Sequence, residues 1–176
     1  MRWKVVTLLL VLSGIGFRAF HCSHVKPAPV PPPGTVSREA RIPEQAEKVT
    51  PKKDAFPPVV HSGDWETPVG VGPPVNTAGV EDSPFITPDG NTLYFWFTPD
   101  MSVPPKKQII DGVTGIYVST REGNGWSVPE RVVLQGPDEL ALDGCPFVQG
   151  DRMVFCSIRG GNLRTVDIWL AELRDG

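Results

Sequence analysis

Clusters of one charge sign are missing from these 176 residues: 17 lysines and arginines stand against 20 acidic residues, for a formal net charge of −3. Basic residues adjoin only at Lys52-Lys53 and Lys106-Lys107. No stripe of cations is available to hold a phosphate backbone, which sets nucleic acid aside as a partner. Histidine is scarce too, at three. His21-Cys22-Ser23-His24 gathers soft ligands but leaves only His61 elsewhere, short of the ligand set and spacing of a structural zinc site. No metal is expected. The Asp89-Gly90-Asn91 stretch lacks the alternating acidic ligands of a calcium loop and reads as a turn. There is no glycine-rich phosphate loop and no Ser-His-Asp arrangement that builds around His61, so no cofactor is expected either.

Long apolar runs are also absent. The longest, Val5 to Phe17, falls short of the roughly 20 residues of a membrane-spanning helix and has the length of a signal-peptide core. Residues 1–24 therefore read as a signal peptide or, if uncleaved, an N-terminal anchor. Lipid attachment at Cys22 fits poorly, because Phe20 and His21 stand where small residues are expected. The expected location is exported, periplasmic or extracellular, with a possible membrane tether through the N-terminus.

What the chain does have is 20 prolines and 18 glycines, which punctuate it too often for long helices and favour short strands. From residue 25 to residue 61, beginning Lys26-Pro27-Ala28-Pro29, the composition is proline, charge and small residues. Such a segment buries too little apolar surface to offset its ordering entropy and reads as a disordered linker.

The folded part is expected over residues 62–176, and it repeats itself at about sixty residues. Trp65-Glu66-Thr67-Pro68 returns as Trp126-Ser127-Val128-Pro129, Ser83-Pro84-Phe85-Ile86 as Cys145-Pro146-Phe147-Val148, and Leu93-Tyr94-Phe95 as Met153-Val154-Phe155. Gly115-Ile116-Tyr117-Val118-Ser119 matches Asp167-Ile168-Trp169-Leu170-Ala171. Each unit supplies strands at the "SPFI", "TLYFWF", "GIYVSTR" and "ERVVLQ" positions. Their weak alternation is that of strands covered on both faces. A four-stranded antiparallel unit of this kind, repeated, is a β-propeller blade. The expected fold class is all-β, a partial propeller of about two blades.

"SPFITPDGNTLYFWF" with "GIYVSTREGNGWSVPERV" resembles the WD40-like propeller repeat of TolB-type proteins, over about residues 62–176. The second copy departs from that pattern, with Gln149-Gly150-Asp151 in place of the Pro-Asp-Gly turn. The resemblance implies a fold and leaves function open. Trp65 to Val71 is expected as a fourth strand that opens the folded part. Since a propeller typically needs four to eight blades, either a longer protein or several copies of the chain would complete the ring.

The expected function is a non-catalytic binding or scaffold module of the cell envelope, taking a protein or a cell-wall or glycan ligand. The competing reading is part of a glycosidase-like propeller enzyme. Its weak catalytic candidates are Glu81 and Asp143, equivalent carboxylates ahead of the first strand of each blade. In propellers that strand lines the central channel, where two carboxylates can serve as acid and base or nucleophile. The same two residues, with Lys106 and Lys107 in the long loop from Thr98 to Gly112, are the candidate binding residues. Cys145 and Cys156 are expected opposite one another across the second hairpin, either as a disulfide or as two buried thiols. Ser119, Gly123 and Trp126 match the sialidase Asp-box, but Arg121 replaces its aspartate. Trp65 and Trp126 are expected to pack at blade edges.

Overall fold

A computed structural model describes residues 35–50 and 52–174. The leader, residues 1–24, and the linker as far as residue 34 lie outside the described residues. The rest is mostly β, in two antiparallel sheets. The first holds β1 (Val80–Ile86), β2 (Thr92–Thr98), β3 (Gly115–Glu122), β4 (Gly125–Trp126) and β5 (Glu130–Arg131). A single helical turn, α1 (Pro105–Gln108), interrupts the loop between β2 and β3. The second sheet holds β6 (Ala141–Gln149), β7 (Arg152–Arg159) and β8 (Asp167–Glu172).

The β1–β2 hairpin turns where the sequence changes from apolar to Pro-Asp-Gly-Asn. Gly90 takes φ 73°, a left-handed value that glycine adopts without a Cβ clash. Asp89 accepts hydrogen bonds from Thr87 Oγ1 at 2.6 Å and the Asn91 amide at 3.1 Å. Those donors, the threonine foremost, hold its carboxyl below the usual range. Its chemistry is that of a turn. The β6–β7 hairpin closes more tightly, with Gly150 at φ 60°.

The two sheets repeat one another in detail. Each first strand slips register at the same place, between Asp82 and Phe85 in β1 and between Gly144 and Phe147 in β6. Each slip centres on a residue held at positive φ before a proline: Ser83 at 50° and Cys145 at 51°. Proline inside a strand is tolerated at a bulge, because it has no N–H for the ladder. The two bulges face each other: Ser83 Oγ lies 3.5 Å from Cys145 Sγ, and the Phe85 and Phe147 rings are 4.9 Å apart.

The first sheet is covered on both faces. On one side Leu93, Phe95, Phe97 and Tyr117 pack with Val75 and Val113, and Val36 and Ile42 complete the cluster. On the other, Ile116, Tyr94, Val132 and Leu134 meet Met153, Phe155, Trp169 and Ala171 of the second sheet. Fully burying each large apolar side chain contributes about 1.5–3 kcal/mol, so both interfaces matter to stability.

Three expectations are corrected. Trp65–Val71 is not a strand, and Trp65 is 80% exposed instead of packed at an edge. The part of the linker from Val36 to Ile42 is not a free tether, since it docks on the first sheet. The fourth strand of the first unit shrinks to β5, two residues paired with Tyr117 and Val118. Trp126 does pack, half-buried, against the first cluster, with the Arg121 guanidinium 4.5 Å over its ring.

Candidate functional site

Glu81 and Asp143 occupy equivalent places, and each meets an arginine. Asp143 is fully buried; its Oδ1 accepts from Arg159 Nη2 at 2.7 Å and from Ser157 Oγ at 2.6 Å. Glu81, with a side chain 11% exposed, lies 3.7 Å from Arg38 Nη1. Its Oε1 also accepts from the Thr77 amide at 3.1 Å and Thr77 Oγ1 at 2.6 Å.

The arginines are equivalent in role but not in origin. Arg159 ends β7, lies 5.2 Å from the Phe155 ring centre and 5.3 Å from that of Trp169, and donates to Leu134 O. Arg38 arrives from the N-terminal segment and covers Phe95, Phe97 and Tyr117 at 5.2–5.6 Å, while donating to the carbonyls of Pro74 and Val75. Phe95 matches Phe155 and Tyr117 matches Trp169 in the repeat, so each sheet carries one carboxylate–arginine pair over equivalent rings, with Phe97 as a third ring in the first. A buried charge is tolerated when it is paired and hydrogen-bonded, and both carboxylates meet that condition.

The expectation that the two carboxylates face one open channel is therefore corrected. Each is turned into its own ion pair, because an ionised carboxylate inside a sheet sandwich is stabilised far more by an adjacent guanidinium than by a neighbouring carboxylate. Glu81 still borders a shallow groove of about 610 Å³ with Lys48, Asn76 and Thr77. Asp143 has no exposed surface from which to act on a substrate.

A third arginine, Arg131 of β5, is half-buried beside β3. It donates to the carbonyls of Thr114 at 2.7 Å, Val132 at 3.0 Å and Ile116 at 3.3 Å. Desolvation lowers its pKa. Above it Tyr117 gives its hydroxyl hydrogen to Val113 O at 2.9 Å. Burial pushes that phenol up to about 12. Both groups border a groove of about 400 Å³ with Arg38, Glu39 and Pro129, and both brace β3 through these hydrogen bonds.

Cys145 and Cys156 do not sit directly opposite. The bulge advances β6 by one residue, so that Gly144 pairs with Cys156, and both cysteines are free thiols. They remain neighbours: burial first, and then the adjacent Cys145, push the Cys156 thiol up. Lys106 and Lys107 are exposed on α1, whose Gln108 is buried. The end of their loop is fixed by Asp111, which accepts from the Val113 and Thr114 amides at 2.8 and 2.7 Å. A Thr98–Thr114 hydroxyl contact of 3.0 Å closes its base.

Among the described residues no group of three or more His, Cys, Asp or Glu is placed to hold a metal ion, and no helix is long and apolar enough to cross a membrane. Sequence reasoning missed Arg38, Arg131 and Arg159. Only Arg159 carried a local cue, the apolar strand that ends on it. Comparison with models of known families, with curated proteins and with solved structures finds no match.

Proposed function

We propose that this chain is part of a β-propeller of the WD40-like, TolB-related kind, and that it serves outside the cytoplasm as a binding or scaffold module. The fold reading is supported by two like sheets stacked face to face with their bulged first strands adjacent. Export rests on the composition of residues 1–24. A protein or cell-wall glycan is the partner, met through the loop between β2 and β3.

The observation that carries the binding reading is that loop. Lys106 and Lys107 stand exposed on a helical turn whose next residue is buried and whose end is tied by Asp111. Two cations on a fixed tip suit an anionic partner, and a rigid scaffold under a loop is the usual setting for recognition. The glycosidase reading is weakened because Glu81 and Asp143 are committed to arginine pairs.

The test is cosedimentation of the full chain with insoluble bacterial cell wall at low salt. Binding that falls at least about tenfold in Lys106→Glu/Lys107→Glu, with unchanged folding by circular dichroism, supports the reading. Equal binding by the wild type and the double variant, or none by either, removes the loop as the site. Hydrolysis of a chromogenic glycoside that disappears in Glu81→Gln would revive the enzyme reading.

A further inference from the structure

Among the described residues nothing covers the β7–β8 part of one face of the second sheet, and that part is apolar. Val154 and Leu170 form one row across β7 and β8, with Cys156 and Ile168 in the next; at the β6 edge the rows continue into Phe147 and Gly144, which the first sheet already meets through Phe85 and Trp96. Phe147 is 53% exposed, Leu170 56% and Ile168 75%. A contiguous exposed apolar face on a soluble domain marks an interaction surface.

The repeat says what covers it. Phe147, Val154 and Leu170 are the counterparts of Phe85, Tyr94 and Val118, which form one row of the first sheet. Cys156 and Ile168 are the counterparts of Trp96 and Ile116. In the first sheet this face is the one packed on the second: Ile116 is fully buried against Met153 and Phe155, and the Trp96 indole lies close over Gly144. The exposed face thus repeats a surface that already binds a sheet of this kind in this molecule.

A second copy of the chain has no free complement to offer. The complementary face of its second sheet is occupied by its own first sheet. The complementary face of its first sheet is occupied by residues 36–42, with Arg38 at 3% exposure against Phe95, Phe97, Tyr117 and Glu81. A head-to-tail contact between copies, which would propagate as a heterologous interface, requires that segment to be expelled.

We propose that the exposed face of the second sheet docks one further antiparallel sheet of the same repeat, supplied from outside these 176 residues. The docked sheet presents buried aromatic rings and small residues, as Phe155, Trp169 and Ala171 do toward the first sheet. Residues 36–42 act as the cap that keeps the opposite end of the stack closed to other copies. The inference rests on the likeness of the two sheets and stands whether or not the assembly closes into a propeller.

The test extends the full chain with a second copy of residues 123–174 after Arg174, its two cysteines changed to serine. That junction keeps the natural phase of the repeat. Alkylation at Cys156 of the original sheet, read by peptide mass, is expected to slow by about tenfold or more as the face is covered. The extended protein is expected to melt in one transition at higher temperature. Ile168→Lys with Leu170→Lys in the original sheet should abolish both effects while leaving the unextended chain folded, since both residues are exposed there. Unchanged alkylation at Cys156 overturns the proposal. So does sedimentation of the unextended chain as a dimer that the same two lysines dissociate, which would make a second copy the occupant.

Discussion

Arg159→Ala is the substitution whose cost the structure fixes best. Asp143 is fully buried and has two donors, Arg159 Nη2 at 2.7 Å and Ser157 Oγ at 2.6 Å; its Oδ2 is buried without a protein partner. Removing the arginine leaves a buried carboxylate with one neutral donor, a change that typically costs about 3–5 kcal/mol. Loss of the guanidinium over Phe155 and Trp169 adds about 0.5–1 kcal/mol. Arg38→Ala makes the instructive contrast. Glu81 keeps the Thr77 amide and hydroxyl, is partly wetted, and lies 3.7 Å from the guanidinium, so its loss is about 2 kcal/mol, mostly for stranding the Pro74 and Val75 carbonyls. Urea denaturation of the full chain should therefore rank Arg159→Ala below Arg38→Ala in stability. Asp143→Asn placed in the Arg159→Ala background should recover about 1–2 kcal/mol by removing the stranded charge. A loss under about 1 kcal/mol for Arg159→Ala, or no recovery with Asp143→Asn, would refute the claim that this pair is a buried structural bridge.

Gly115 sits at φ 148°, and a Cβ there would run into the Arg131 guanidinium; Gly115→Ala should cost more than about 2 kcal/mol by urea melting, and a loss below 0.5 in that range would contradict the packing. The phenol of Tyr117, raised to about 12 by burial, stays neutral in the folded state after its unfolded counterpart has ionised near pH 10. Its contribution is therefore complete below about pH 10 and lost as pH rises toward 12, a fall of about 2–3 kcal/mol that Tyr117→Phe should flatten in pH-dependent melts. Iodoacetamide at mildly alkaline pH should modify exposed Cys145 before Cys156, whose thiol is pushed up by burial and by Cys145; equal rates by peptide mass, or no reaction at either, would show another thiol arrangement. Trp65→Ala should change stability by less than about 0.5 kcal/mol, because the ring is 80% exposed; a cost above 2 would restore the expected edge packing.

The strands were legible because their signals were local. Apolar runs bounded by Pro-Asp-Gly-Asn or Gly-Asp gave β1–β2 and β6–β7, and the repeat of Ser-Pro-Phe as Cys-Pro-Phe gave their likeness. The bulges carried a signal too. Pro84 and Pro146 lie inside strands, where proline requires a break in the ladder, and weighing that would have moved Cys145 out of line with Cys156. Trp65 misled because its Trp-x-x-Pro cue depends on what precedes it. Trp126 is brought back on β3 by the hairpin at Gly123 and packs under Arg121, whereas no strand precedes Trp65 among the described residues.

The carboxylates show where such reading stops and why. Their equivalence was visible, but a carboxylate's role depends on the cation beside it, and each cation lay where sequence spacing gives no guide. For Asp143 it is Arg159, across a hairpin; for Glu81 it is Arg38, in a segment whose composition argued against any fold at all. That segment is ordered by the sheet it covers. A first sheet with Phe95, Phe97 and Tyr117 on its outer face leaves an apolar surface beside a charge, and one arginine flanked by Val36 and Ile42 answers both needs at once. The second sheet satisfies its carboxylate with Arg159 of its own β7, on the face turned toward the first sheet, where the guanidinium lies beside Phe155 and Trp169. Equivalent faces of the two sheets are thus closed by different means: residues 36–42 cover that of the first sheet and the first sheet covers that of the second, so the Ile168–Leu170 face is the one left exposed.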